Sequence, residues 1–155
     1  MSRKLESENE FTRGAIAGSI SAAVICLLSE CFEWLGLLGH CWLFMAGQPV
    51  MEFSHTPLPL AFSFLIHLGV GSFWGVIMAF LFSKVFTDRG YLLKGLLIGL
   101  AIFFFHVGFL DTVLKYPATM RGEFFTVFFT FITYLIYGGL TAVILKKLSR
   151  PEAAK

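Results

Sequence analysis

Charge is what this sequence lacks most. Asp, Glu, Lys and Arg together supply 14% of the 155 residues, against about a quarter in soluble proteins. A surface that faces water over most of its area is therefore excluded. The net charge is only +2, so the total gives no sign of nucleic acid, and no nucleic-acid partner is expected. Cysteine is sparse as well: the odd set Cys26, Cys31 and Cys41, with no CxxC, argues against a disulfide framework. Cys26 and Cys31 read as small apolar filler. No P-loop, Rossmann glycine pattern, HExxH or nucleophile signature occurs, nor any HxxxH. The chain is accordingly expected to be non-enzymatic, with no metal and no resident cofactor. The opening MSRKLESENEFTRG is too long and acidic for a signal-peptide n-region, and no small-x-small cleavage site follows, so the first apolar segment is expected to be retained.

Apolar residues take the place of charge. They make up 57% of the chain, 19 of them phenylalanine, and mean hydropathy is +0.78. A helix needs roughly 20 apolar residues to cross a bilayer, and four segments qualify: Gly14–Leu38, Ala61–Val85, Tyr91–Leu114 and Phe124–Leu145. They must be helices, because in lipid every backbone polar group needs an internal partner. The expected fold is all-α, an integral membrane four-helix bundle in a single domain, with short tails at residues 1–13 and 146–155.

Orientation follows from the basic residues. Arg3, Lys4 and Arg13 precede the first span, and Lys84, Arg89 and Lys94 surround the second connection. Lys146, Lys147, Arg150 and Lys155 end the chain, whereas the first loop has no Lys or Arg and the third only Lys115 and Arg121. Both termini are expected in the cytoplasm. The long loop Gly39–Leu60 contains WLFMAGQPVMEF, which reads equally as a re-entrant or surface-lying piece and as an ordinary loop. Trp34 and Trp42 suit the outer interface, where amphipathic rings settle among the headgroups.

The chain also repeats itself. Span one opens Arg13-Gly14-x-x-x-Gly18 and span three Lys94-Gly95-x-x-x-Gly99, each with a carboxylate further along, Glu30 and Asp111. This suggests two tandem helical hairpins of the same orientation. The pairs Gly14/Gly18, Gly71/Gly75 and Gly95/Gly99 have the spacing that lets helix backbones approach closely, either within the bundle or against a homo-oligomer or membrane-protein partner.

Ionisable side chains at membrane depth are costly and so need a partner or a task. Glu30, Glu33, His67, His106 and Asp111 are the candidates for a polar pocket. Glu30 and Glu33 share a face, His106 falls on the Gly95/Gly99 stripe, and His67 falls on the Gly71 stripe. Four uses compete. The carboxylates can snorkel to water or pair with Lys115, Arg121 or a histidine; the group can form a pocket for protons, an ion or a small solute. His67 and His106 can ligate a b-type haem, or a mixed His/carboxylate set can hold a divalent metal.

The RGAIAG opening, the KGLLIGLAIFFFH third span and the YGG of the fourth resemble small four-span bacterial membrane proteins of uncertain function, of the YqhR and YagU types. The resemblance implies the bacterial inner membrane and carries no site residues. The expected role is structural or accessory. The alternative is a small transporter or proton/ion-conducting protein that uses the outer carboxylate/histidine cluster.

Overall fold

The computed structural model describes residues 3–48, 50–51, 54, 56–86, 89–110 and 124–149, with side chains from Asn9 onward except that of Leu110. The helices are α1 (Arg3–Trp34), α2 (Trp42–Gly47), α3 (Pro57–Lys84), α4 (Tyr91–Phe103) and α5 (Phe124–Leu148). α4 continues as a π-helical stretch, Phe104–Leu110. Four of these helices are long and apolar enough to cross a membrane. The chain is an all-α four-helix bundle with α2 as a short extra piece.

Several ends differ from expectation for identifiable reasons. α1 begins at Arg3 rather than Gly14, since RKLESENEF is composed largely of good helix formers. It stops at Trp34 rather than Leu38, because Gly36 adopts φ 71°. The N–H of Gly36 then donates to the Glu33 carbonyl at 2.9 Å and that of Leu37 to Phe32 at 2.8 Å, the paired bonds of a glycine-terminated helix. α3 begins at Pro57 rather than Ala61; proline suits the first helical turn, where an N–H would lack a partner. α5 runs past Leu145 to Leu148, with Lys146 and Lys147 in its last turn, where the helix dipole favours cations. The expected end of span three, Leu114, lies outside the described residues.

The packing is that of two hairpins. α1 packs chiefly on α3 and α4 chiefly on α5, while the α1–α5 seam joins the pairs. In the first hairpin a Cβ placed on Gly14 would lie 2.6 Å from the Val76 Cα, and one on Gly75 the same distance from the Gly18 Cα. In the second, a Cβ on Gly95 would lie 2.6 Å from the Gly138 carbonyl oxygen, and one on Gly138 would lie 2.8 Å from the Gly99 Cα. The helix backbones are thus in direct contact. Without a hydrophobic drive between helices in lipid, that contact gains dispersion energy and Cα–H···O bonds.

The two hairpins also exchange hydrogen bonds reciprocally. Trp74, just before Gly75, donates from Nε1 to His106 Nε2 in the second hairpin at 3.2 Å. Tyr137, just before Gly138, donates from its hydroxyl to the Gly71 carbonyl in the first at 2.6 Å. Equivalent positions thus reach across to the opposite hairpin, as an internal two-fold requires. At one end the hairpins match again: Lys84 Nζ lies 3.3 Å from Glu10 Oε1, and Lys146 Nζ lies 3.9 Å from the Tyr91 ring centre. Glu30 cannot be set against Asp111, which lies outside the described residues.

α1 and α5 form the centre of the bundle and α3 and α4 flank it. Leu27, Phe73, Leu93 and Phe128 are exposed, as befits side chains that meet lipid rather than water. Cys31 is exposed and Cys26 buried. Of the two cysteines expected as core filler, Cys26 fills the core and Cys31 does not, because Cys31 falls on the outward side of α1.

Candidate functional site

Two polar centres form inside this frame, one above the other. One begins at the last turns of α1, at the end of the bundle away from Lys84 and Lys146. Glu30 and Glu33, one turn apart, point their carboxylates at a residue from the following loop, Cys41. The three ligating atoms lie within 4.8 Å of one another. Cys41 is 1% exposed, and burial first, then the Glu30 side chain, pushes its thiol well above the ordinary range. The thiol is therefore protonated at neutral pH. Glu30 Oε1 is shielded from solvent and has no hydrogen-bond partner.

The loop is brought there by α2. Cys41 precedes this helix, and the Trp42 N–H donates to Ser29 Oγ at 3.2 Å, while Ser29 itself donates to the Cys26 carbonyl at 2.9 Å. This fastens the start of α2 to the wall of α1. Trp42 then enters the bundle. Its Nε1–H donates to Thr133 of α5 at 3.2 Å, and its ring stands edge-on to Tyr134 at 4.8 Å and beside His67 at 5.8 Å. Trp42 is therefore a buried plug, not the interface anchor its residue type suggested. The reason is that Thr133 supplies the acceptor a buried indole needs. Trp34 is 87% exposed.

The deeper centre holds the histidines. His67 is buried on the α1-facing stripe of α3, and its Nε2–H donates to the Ala22 carbonyl at 3.1 Å. Ala22 precedes Glu30 by two helical turns, so His67 lies roughly 11–12 Å deeper than that carboxylate. His106, at the third residue of the π-helical stretch, accepts from Trp74 at Nε2 and lies 2.6 Å from the Tyr134 hydroxyl at Nδ1. An indole N–H can only donate, so Nε2 carries no proton. Nδ1 must then carry it and donate to Tyr134. π-helical turns recur at functional positions because they free a backbone carbonyl and re-aim side chains.

Of the five residues singled out from sequence, the four that are described fall into two groups. Glu30 and Glu33 join Cys41 at the C-terminal end of α1, and His67 and His106 lie deeper, linked through the rings of Trp42 and Tyr134. Asp111 lies outside the described residues. Both ring nitrogens of His106 and Nε2 of His67 are engaged by protein groups, so haem ligation would have to break those bonds. Sequence reasoning missed Cys41, Trp42, Trp74, Thr133 and Tyr134. Tyr134 and Tyr137 did carry a signal: a phenol in mid-span must find a partner for its hydroxyl.

Tyr134→Phe is expected to destabilise the bundle by about 1–3 kcal/mol, because it strands the His106 Nδ1–H in a dry interior. Unfolding of the purified protein by denaturing detergent measures this. A cost no greater than that of an exposed Phe128→Leu change would show that the Tyr134–His106 bond contributes nothing.

No family model, no curated protein and no solved structure matches this chain. The class of protein is accordingly set by the fold alone, a multi-pass membrane bundle of two glycine-locked hairpins.

Proposed function

We propose that this chain is a non-enzymatic, structural or accessory component of the bacterial cytoplasmic membrane, with both termini inside. The observation that carries the reading is the closed interior. Backbones touch within both hairpins, Trp42 fills the space between them, and the buried His67 and half-buried His106 bond to protein groups. The cytoplasmic placement of the termini is supported by Arg13, Lys84, Arg89, Lys94, Lys146 and Lys147, which belong to the ends and connection where the matching Lys84 and Lys146 contacts lie. The bacterial membrane rests on the resemblance to small four-span bacterial proteins. Such a bundle would work alongside a membrane-protein partner or a second copy of itself.

The second reading, a small transporter or proton/ion-conducting protein, is favoured by one observation, the gathering of Glu30 and Glu33 about Cys41. Vesicles containing the purified protein, with a pH gradient and membrane potential imposed, separate the two. Proton and ion leakage at the level of protein-free vesicles is expected. Leakage above that level which Glu30→Gln, Asp111→Asn or His67→Ala abolishes would replace the accessory role with transport.

A further inference from the structure

We infer that Glu30, Glu33 and Cys41 form a binding site for one borderline-soft divalent cation of the zinc type at the outer end of the bundle. The inference does not depend on whether the bundle conducts. Three features of the structure point to a cation.

The first is convergence. Two carboxylates on one face of α1 and a thiol from a different element bring their ligating atoms within 4.8 Å of one another. In a tetrahedral zinc site, ligand atoms stand about 3.5 Å apart, so side-chain movements of about an ångström would close this set around an ion. The second feature is an unmet demand. Glu30 Oε1 is cut off from solvent with no hydrogen-bond donor, a placement that costs free energy unless something positive repays it. The loop that bears Cys41, residues 39–60, contains no Lys or Arg. The third is anchoring. Cys41 is 1% exposed, and the bond from the Trp42 N–H to Ser29 fixes it beside α1, so the site is largely formed before any ion arrives.

The donor set selects the ion. One sulfur with two carboxylate oxygens suits Zn²⁺, with water completing the fourth position. It suits Ca²⁺ and Mg²⁺ poorly, since these take oxygen ligands. Binding would release the Cys41 thiol proton to solvent as the sulfur becomes a thiolate. It would also tie α1 to the loop that carries the Trp42 plug, making seating of the plug dependent on the metal.

The test uses the full chain, purified in detergent and stripped with a chelator, with Co²⁺ and Zn²⁺ as probes. Co²⁺ is expected to bind at one ion per chain and to give a near-ultraviolet thiolate-to-cobalt band that Zn²⁺ displaces. Cys41→Ser should abolish the band, and Glu30→Gln and Glu33→Gln should each weaken binding at least about tenfold, the fold-change equivalent to 1.4 kcal/mol. Cys31→Ser, on the outward side of the same helix, should change nothing. Helix content and the unfolding midpoint of each variant, measured without metal, show whether it is folded. Absence of stoichiometric binding by the wild-type protein would overturn the assignment. So would a band that survives Cys41→Ser, or displacement of Co²⁺ by Ca²⁺ or Mg²⁺ as readily as by Zn²⁺. If Lys115→Gln or Arg121→Gln proves necessary before the ion binds, the carboxylates are already paired with a basic side chain and the site is not a cation site.

Discussion

Gly18→Leu and Gly138→Leu, made singly, are each expected to cost about 3 kcal/mol or more and to lower the unfolding midpoint by roughly 6–12 °C. The reason lies in what surrounds each glycine. A Cβ on Gly18 would meet the Gly71 carbonyl and lie 2.9 Å from the Gly75 Cα; one on Gly138 would meet the Gly95 carbonyl and lie 2.8 Å from the Gly99 Cα. These neighbours are backbone, which cannot swing aside like the end of a flexible side chain. The helices would have to separate along their whole contact, and the dispersion energy of that contact would go with them. Gly69→Leu is the matched control, since nothing lies within 4 Å of a Cβ there. Leucine exceeds glycine in helix propensity by up to about 1 kcal/mol, so Gly69→Leu should be neutral or slightly stabilising. Equal losses at Gly18 and Gly69 would mean that helix propensity or lipid contact, not close packing, sets the stability.

Trp42→Ala should be comparably severe, at about 3–5 kcal/mol, because it empties the space this buried ring fills. Trp42→Phe should cost about 1 kcal/mol by comparison. It keeps most of the ring volume and removes the bond to Thr133, whose hydroxyl still donates to the Thr130 carbonyl at 2.7 Å. The order Ala worse than Phe separates packing from hydrogen bonding. Trp34→Ala, at an 87% exposed position, should have little effect. Unfolding in denaturing detergent, followed by helix signal, reads all three. A Trp42→Ala protein as stable as Trp34→Ala would show that the plug contributes nothing to the bundle.

The long-range architecture was legible because it is written in small residues. Gly14, Gly18, Gly71, Gly75, Gly95 and Gly99 all stand at backbone contacts, where their spacing placed them. The repeat they implied reappears in the matching contacts of Gly75 and Gly138. One position of that pattern is altered. Gly99 meets the carbonyl of Tyr134, just as Gly18 meets that of Gly71. The glycine is thus replaced by a residue whose phenol reaches His106.

The polar centres were less legible, for a physical reason. Residues one helical turn apart can be paired from their numbers, so Glu30 and Glu33 were recognised as neighbours. Cys41 and Trp42 reach their places through the turn at Gly36 and the docking of α2, and neither has a period. Composition misled at Trp42, since a tryptophan beside a membrane loop suits the headgroup layer equally well. Only the Thr133 acceptor, distant in sequence, decides between the two.

That distance sets an order of events. The residues that receive the Trp42 ring, Thr133 and Tyr134, are made 91 residues or more after it. Until the fourth span is made the indole lacks its Thr133 acceptor and the Tyr134 ring, although Ser29 of α1 and His67 of α3 are already beside it. Full seating of the ring is therefore a late step. It follows insertion of the fourth span, whereas the docking of α2 on α1 and α3 needs only the first hairpin.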